Sequence, residues 1–167
     1  MHKMSRSNLE AAFAGESQAF TRYTIYADKA EKEGLPEVAR LFRAVARAEL
    51  VHATSHLRAL GGINQSEENL QEAINGETYE VDEMYPAFQA VAELQEEKVA
   101  LRSHKFAYEA EKVHAGMYQR ARQAVMAGQD VEVGPIHVCE VCGWTVEGEA
   151  PDRCPLCGAP KDRFIKF

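Results

Sequence analysis

An all-α four-helix bundle followed by a small cysteine-rich module is the fold class this sequence predicts, on three observations. Apolar residues recur at helical spacing from about Leu9 to Met126. From 136 to 167 that period is lost and Gly, Pro and Cys become frequent. Within the helical part a pattern returns: Ala48-Glu49-Leu50-Val51-His52-Ala53 reappears as Ala110-Glu111-Lys112-Val113-His114-Ala115, 62 residues on. Two domains are therefore expected, 1–134 and 135–167, with Gly128 to Pro135 as the linker.

The first helix is expected over about 7–33, where Gly34-Leu35-Pro36 ends it, and the second over about 36–60, with Pro at its start and Gly61-Gly62 past its end. The stretch 61–77 reads as a longer connection in which Ser66-Glu67-Glu68-Asn69-Leu70 suggests one or two helical turns. Helices over about 78–97 and 99–127 complete the bundle. Further back along the repeat, Glu16 pairs with Glu80 at an offset of 64, so the second half lacks two residues where the first has its Gly-Leu-Pro turn. No Gly or Pro lies between Ala87 and Ala115. Either the third and fourth helices run on as one, and two chains exchange helix pairs to build each bundle, or a tight turn without Gly sits near Gln95-Glu96-Glu97.

Of the 167 residues, 19 are Lys or Arg and 26 are Asp or Glu, a net charge of −7 that argues against a nucleic-acid partner. With 46% hydrophobic and 27% charged residues the chain has globular composition and length for one core plus an appendage, which excludes disorder as its main state. No apolar run approaches the roughly 20 residues of a bilayer span. Met1-His2-Lys3-Met4-Ser5-Arg6 leads into a polar helix pattern without an apolar signal core, so a soluble cytoplasmic protein with no membrane partner is expected. All four cysteines fall in two Cys-x-x-Cys pairs, and the first 138 residues have none. That pairing favours a metal over disulfide bridges.

Each predicted helix carries carboxylate on its apolar stripe. The first reads Leu9, Phe13, Glu16, Phe20, Tyr23, Ala27, Ala30; the second Val38, Leu41, Val45, Glu49, His52, continuing to His56; the third Glu80, Glu83, Ala87, Val91, Leu94; the fourth His104, Tyr108, Glu111, His114. Five ionised carboxylates converging in a core would repel one another and lose hydration, so something positive must sit among them. Two divalent cations nearly neutralise the set, and an i, i+3 Glu-x-x-His pair sets an oxygen and a nitrogen ligand side by side. Mixed carboxylate and imidazole donors suit iron or manganese better than calcium. A Glu from each of two helices plus Glu-x-x-His from each of the others is the ferritin-like di-iron arrangement. Here it comprises Glu16, Glu80, Glu49 with His52, and Glu111 with His114. Glu83 aligns with Ala19 in the first half and is expected as an extra ligand that breaks the symmetry, which suggests chemistry rather than storage. His56 reads as packing or support for a ligand. Tyr23, Tyr26, Tyr85, Tyr108 and Tyr118 read as core aromatics, His104 as too far along its helix to bind, and His2 and His137 as incidental.

In the C-terminal module, Cys139-Glu140-Val141-Cys142-Gly143 and Cys154-Pro155-Leu156-Cys157-Gly158 form two knuckles in which Gly lets backbone amides approach the sulfurs. Four thiolates in a tetrahedron bind either zinc or one iron, and spacing alone leaves that choice open. Next to a di-iron bundle a one-electron iron site makes better sense, because reducing a substrate there requires electrons to be delivered.

These segments resemble the rubrerythrin family, a ferritin-like di-iron domain followed by a rubredoxin-like domain. The resemblance is carried by Ala14-Gly15-Glu16-Ser17-Gln18 with Arg22-Tyr23, Glu49-x-x-His52, Glu80-x-x-Glu83-Met84-Tyr85-Pro86, Glu111-x-x-His114 and the knuckles ending in Cys157-Gly158-Ala159-Pro160-Lys161 with Phe164. It implies a cytoplasmic peroxidase. Electrons from an NAD(P)H-dependent reductase or rubredoxin would enter an Fe(Cys)4 centre at Cys139, Cys142, Cys154 and Cys157, pass to two irons and reduce hydrogen peroxide to water. It further implies that Glu49 and Glu111 bridge the irons, that Glu16 binds one and Glu80 and His114 the other, and that Glu83 and His52 exchange at one iron on reduction. A homo-oligomer, at least a dimer, is implied as well. A ferroxidase or iron-handling protein, a di-iron oxidase using O2, and a bundle with a structural zinc clip are the competing readings.

Overall fold

In the computed structural model, which describes residues 1–167, the chain divides into two units, Met1–Asn64 and Gln65–Phe167. The first is a helical hairpin of α1 (Lys3–Lys32) and α2 (Pro36–Leu60). The punctuation acts as its chemistry requires: Gly34 turns left-handed at φ 76°, Pro36 opens α2 where no N–H is needed, and Gly61 closes it at φ 77°. The buried residues between α1 and α2 are all alanines, namely Ala27, Ala30, Ala39, Ala46 and Ala53. Methyl-sized contacts let two helix axes come near the short end of the usual 8–10 Å range. Tyr23, Tyr26 and Phe42 stack beside this seam with ring centroids 5.6–6.4 Å apart. Val38 and Leu41, expected to be buried, are 41% and 63% exposed. A two-helix unit covers only one flank of each helix, so the stripe on the other flank faces outward.

The second unit opens with a helix where the sequence pattern suggests a connection. The expected connection over 61–77 is mostly helix: α3 spans Ser66–Tyr79, and the Gln65 N–H donates to the Glu68 carboxylate at 3.3 Å to close its first turn. The helix then widens into a π-turn over Glu80–Met84, in which the Tyr85 N–H reaches back five residues to the Glu80 carbonyl, and continues as α4 (Tyr85–Leu94). Pro86 is the second residue past the wide turn. A proline ring offers no N–H and crowds the carbonyl four residues back, so an α-ladder is weakest there.

A tight turn at Gln95–Glu97, closed by the Glu97 N–H on the Ala92 carbonyl at 2.9 Å, reverses the chain into α5 (Lys98–Met126). The unbroken third-to-fourth helix is therefore replaced by the turn without glycine. Glu96 adopts φ 57° there, the only non-glycine residue in the left-handed region. Its Cβ makes that conformation cost about 1 kcal/mol. Glu96→Gly is expected to raise the melting temperature by about 1–3 °C, read by calorimetry.

The small sheet has the order β2-β1-β3, all antiparallel, from β1 (Ile136–Cys139), β2 (Thr145–Glu147) and β3 (Phe164–Lys166). Its core is Cys139, Cys154 and Ala159, ringed by Trp144, Leu156 and Phe164. Arg120 on α5 holds Glu147 on β2 at 2.6 Å, and the sheet sits against α5 in the same unit. His137, read as incidental, bonds the Gly148 carbonyl at 2.7 Å and ties β1 to the loop after β2. No helix is long and apolar enough to cross a membrane.

Candidate metal centres

In the first unit, α1 contributes Glu16 and α2 contributes Glu49 and His52, with ligand atoms within 4.8 Å of one another. The i, i+3 spacing sets His52 Nδ1 3.0 Å from Glu49 Oε2, and Glu16 Oε1 lies 3.9 Å from the same nitrogen. Glu16 and Glu49 are half-buried, whereas the His52 side chain is 56% exposed, not buried as the stripe suggests.

The second unit assembles Glu77, Glu111 and His114 within 4.8 Å. His114 Nδ1 lies 2.6 Å from Glu111 Oε2. Glu80 adds its charge: burial pushes its carboxyl up, the Glu111 charge pushes it further, and His114 opposes. Glu77 is driven hardest. Burial first, then the hydrogen bond and charge of Glu111 and the charge of Glu80, raise it to about 7. Burial and the charges of Glu80, Glu111 and Glu77 also raise the Tyr85 phenol. Crowded carboxylates that hold protons well above their usual range form a site short of positive charge, and their oxygen and imidazole donors fit iron or manganese.

Glu77 was absent from the sequence reading. Its i, i+3 spacing to Glu80 was the available signal, but 61–77 read as connection. Glu83, expected as an extra ligand, is exposed and outside the cluster. It lies inside the π-turn, whose wider winding advances fewer degrees per residue, so three residues past Glu80 no longer returns to the same face.

Glu77 gives a pH dependence with a definite sign. A carboxyl raised in the folded state stabilises it fully below the unfolded value of 4.5, and that contribution is lost as pH rises through about 7. Metal-free protein is expected to melt at higher temperature at pH 5 than at pH 8. Glu77→Gln is expected to flatten that slope in parallel thermal scans, and an unchanged slope would remove Glu77 as its cause.

The four cysteine sulfurs also lie within 4.8 Å of one another, and no disulfide forms. Gly143 at φ 78° and Gly158 at φ 77° turn the two knuckles, donating to the Cys139 and Cys154 carbonyls at 2.8 and 2.9 Å. Burial pushes the Cys142 thiol up. Burial acts on Cys154 too, but N–H groups of Cys157 and Leu156 outweigh it and hold that thiol below its ordinary value. Four convergent sulfurs with backbone donors fit a tetrahedral metal.

One pocket joins the two chemistries of the second unit: Phe106, Ala110, Glu111 and His114 of α5 line one side, and Val141, Cys142 and Gly143 the other.

Residues 7–122 match the family model described as rubrerythrin, and residues 137–165 match the rubrerythrin rubredoxin-like domain. Rubrerythrin-2 of Clostridium acetobutylicum is 38% identical over 98% of this chain and 97% of its own length. Nigerythrin of Nitratidesulfovibrio vulgaris is 36% identical over 96% of this chain and 85% of its own. Among solved structures, fully reduced, all-ferrous nigerythrin superposes with a TM-score of 0.57 at 34% identity, covering 97% of this chain and 86% of that one.

Proposed function

Because the chain belongs to the rubrerythrin family, we propose that it is a non-haem di-iron peroxidase that reduces hydrogen peroxide to water in oxidative-stress defence. The observation that carries this reading is the pocket in which Cys142-Gly143 faces Glu111 and His114, since a carboxylate site that only stored or oxidised iron would have no need of a thiolate centre beside it. Glu16, Glu49, His52, Glu80, Glu111 and His114 would hold two irons, with Glu77 as a further oxygen donor, and Cys139, Cys142, Cys154 and Cys157 a third. The iron pair would supply together the two electrons that O–O cleavage needs.

The residues have separate tasks in this reading. Glu111 lies against both Glu77 and His114, so it would share a metal with each of them. His52 is the most open of these donors, which agrees with a ligand that engages on reduction. Tyr85 keeps its proton and so remains a hydrogen-bond donor next to the carboxylates. The partners are hydrogen peroxide, an electron donor such as an NAD(P)H-dependent reductase or rubredoxin, and a second copy of the chain.

The test is anaerobic reduction of iron-loaded protein followed by mixing with H2O2 or O2 while the Fe(III)–thiolate band is watched. Much faster return with H2O2 is the expected result. Equal or faster return with O2 would replace the peroxidase by an oxidase. No thiolate band, with zinc in protein isolated from its own source, would favour a ferroxidase or a zinc clip.

A further inference from the structure

Thr145 is the one buried polar side chain of the protein, 5% exposed, and it stands between the two centres of the second unit. Its hydroxyl has a single hydrogen, donated to the Gly143 carbonyl at 3.0 Å. His114 Nε2 lies 2.8 Å from the same oxygen, which can accept from the ring whenever Nε2 carries the hydrogen. With Nε2 carrying the hydrogen, Nδ1 of the neutral ring presents a bare lone pair 2.6 Å from Glu111 Oε2. A hydrogen or a cation must lie in that 2.6 Å gap, and once a metal takes the place on Nδ1 the ring hydrogen belongs on Nε2, where Thr145 Oγ1 accepts it. Gly143 is covalently joined to Cys142, and the bonds continue from its carbonyl through Thr145 to His114.

We propose that Thr145 is a positioning residue with two tasks: it locks His114 in the tautomer that ligates through Nδ1, and it forms the hydrogen-bonded link along which the cysteine centre delivers electrons to the carboxylate site. The inference rests on the di-iron peroxidase reading. In each transfer the metal at the cysteines is oxidised by one electron and the metal beside His114 is reduced by one. The Nε2 and Oγ1 protons stay where they are, so no other reactant is needed. Gly143 belongs to the device too, because φ 78° aims its carbonyl and a side chain there would be strained.

The experiment compares full-length Thr145→Val, which keeps the β-branched shape and loses the hydroxyl, with Thr145→Ser, which keeps the hydroxyl. In zinc-loaded protein, nitrogen-edited NMR should show a slowly exchanging His114 Nε2 proton in the parent and the Ser form and none in the Val form. In iron-loaded protein, the peroxide-driven return of the thiolate band should slow about tenfold in Val and recover in Ser, with iron content and the band itself unchanged. A Val form that keeps both the proton and the parent rate would overturn the proposal. So would equal slowing in Val and Ser, which marks a packing role. If the parent shows no peroxide-driven return, the functional reading fails instead, and the NMR comparison still decides the tautomer lock.

Discussion

Glu111→Ala should strip the carboxylate site of metal while leaving the cysteine centre loaded. Glu111 is the residue that the other members of the second cluster share: His114 lies 2.6 Å from it, Glu77 bonds to it, and its charge raises Glu80. Losing it removes an oxygen donor and the carboxylate that lies 2.6 Å from His114 Nδ1. Peroxide reduction should fall by more than about 100-fold, since even outer partners of metal ligands cost 10–100-fold. The metal-free protein should respond in the opposite direction. Without the Glu111 charge, Glu77 and Glu80 are relieved, so metal-free Glu111→Ala should melt at or above the parent temperature at pH 8. Metal analysis together with melting of both forms checks the pair of outcomes. A variant that keeps full metal content would sink the assignment of Glu111 as a ligand.

Removing the metal from the cysteine centre should unfold the module but spare the helices. Its core is little more than the cysteines themselves with Ala159, so cross-linking by a metal replaces the apolar burial that other small domains rely on. Metal-free Cys142 stays protonated because burial raises it, which leaves thiols where the fold requires thiolates. The loss should be on the order of 10 kcal/mol of metal-linked folding energy. Trp144 is the single tryptophan of the chain, packed edge-on to Phe164 with ring centroids 6.4 Å apart, and so it reports on this module alone. Strong chelation, or paired Cys139→Ser and Cys154→Ser, should red-shift its fluorescence while the far-ultraviolet helical signal persists. A native Trp144 spectrum without metal would show that the fold stands on its own.

What the sequence disclosed and what it hid divide along the range of the interactions concerned. The bounds of α2, the knuckles and the Glu-x-x-His pairs depend on neighbours a few residues apart, and all were legible. The start of α3 was not, because Gln65 with Glu68 is a weaker start signal than a serine or threonine cap, and the helix is polar on most faces. Glu77 was hidden with that helix, and the π-turn, which has no local spelling, sets the exposed position of Glu83. Thr145 could not have been found, since its importance lies in a partner 31 residues away in the chain. The helical stripes were read correctly as stripes but not as open surfaces, because periodicity shows which residues share a face and says nothing about what covers it. The division after Asn64 was equally invisible, as Gly61-Gly62 marks the end of a helix and not the edge of a unit.

The alanine seam of the first hairpin acts as a ruler. Ala39, Ala46 and Ala53 recur every seven residues along α2, and Glu49 lies within that span while Glu16 rides on the opposing helix. The span between the two carboxylates is therefore fixed by side chains that touch neither metal nor substrate. A leucine at Ala46 would drive the helices apart along their length, and the two oxygens would part with them. The tolerance of the metal site is thus written in methyl groups, at the residues with the plainest chemistry.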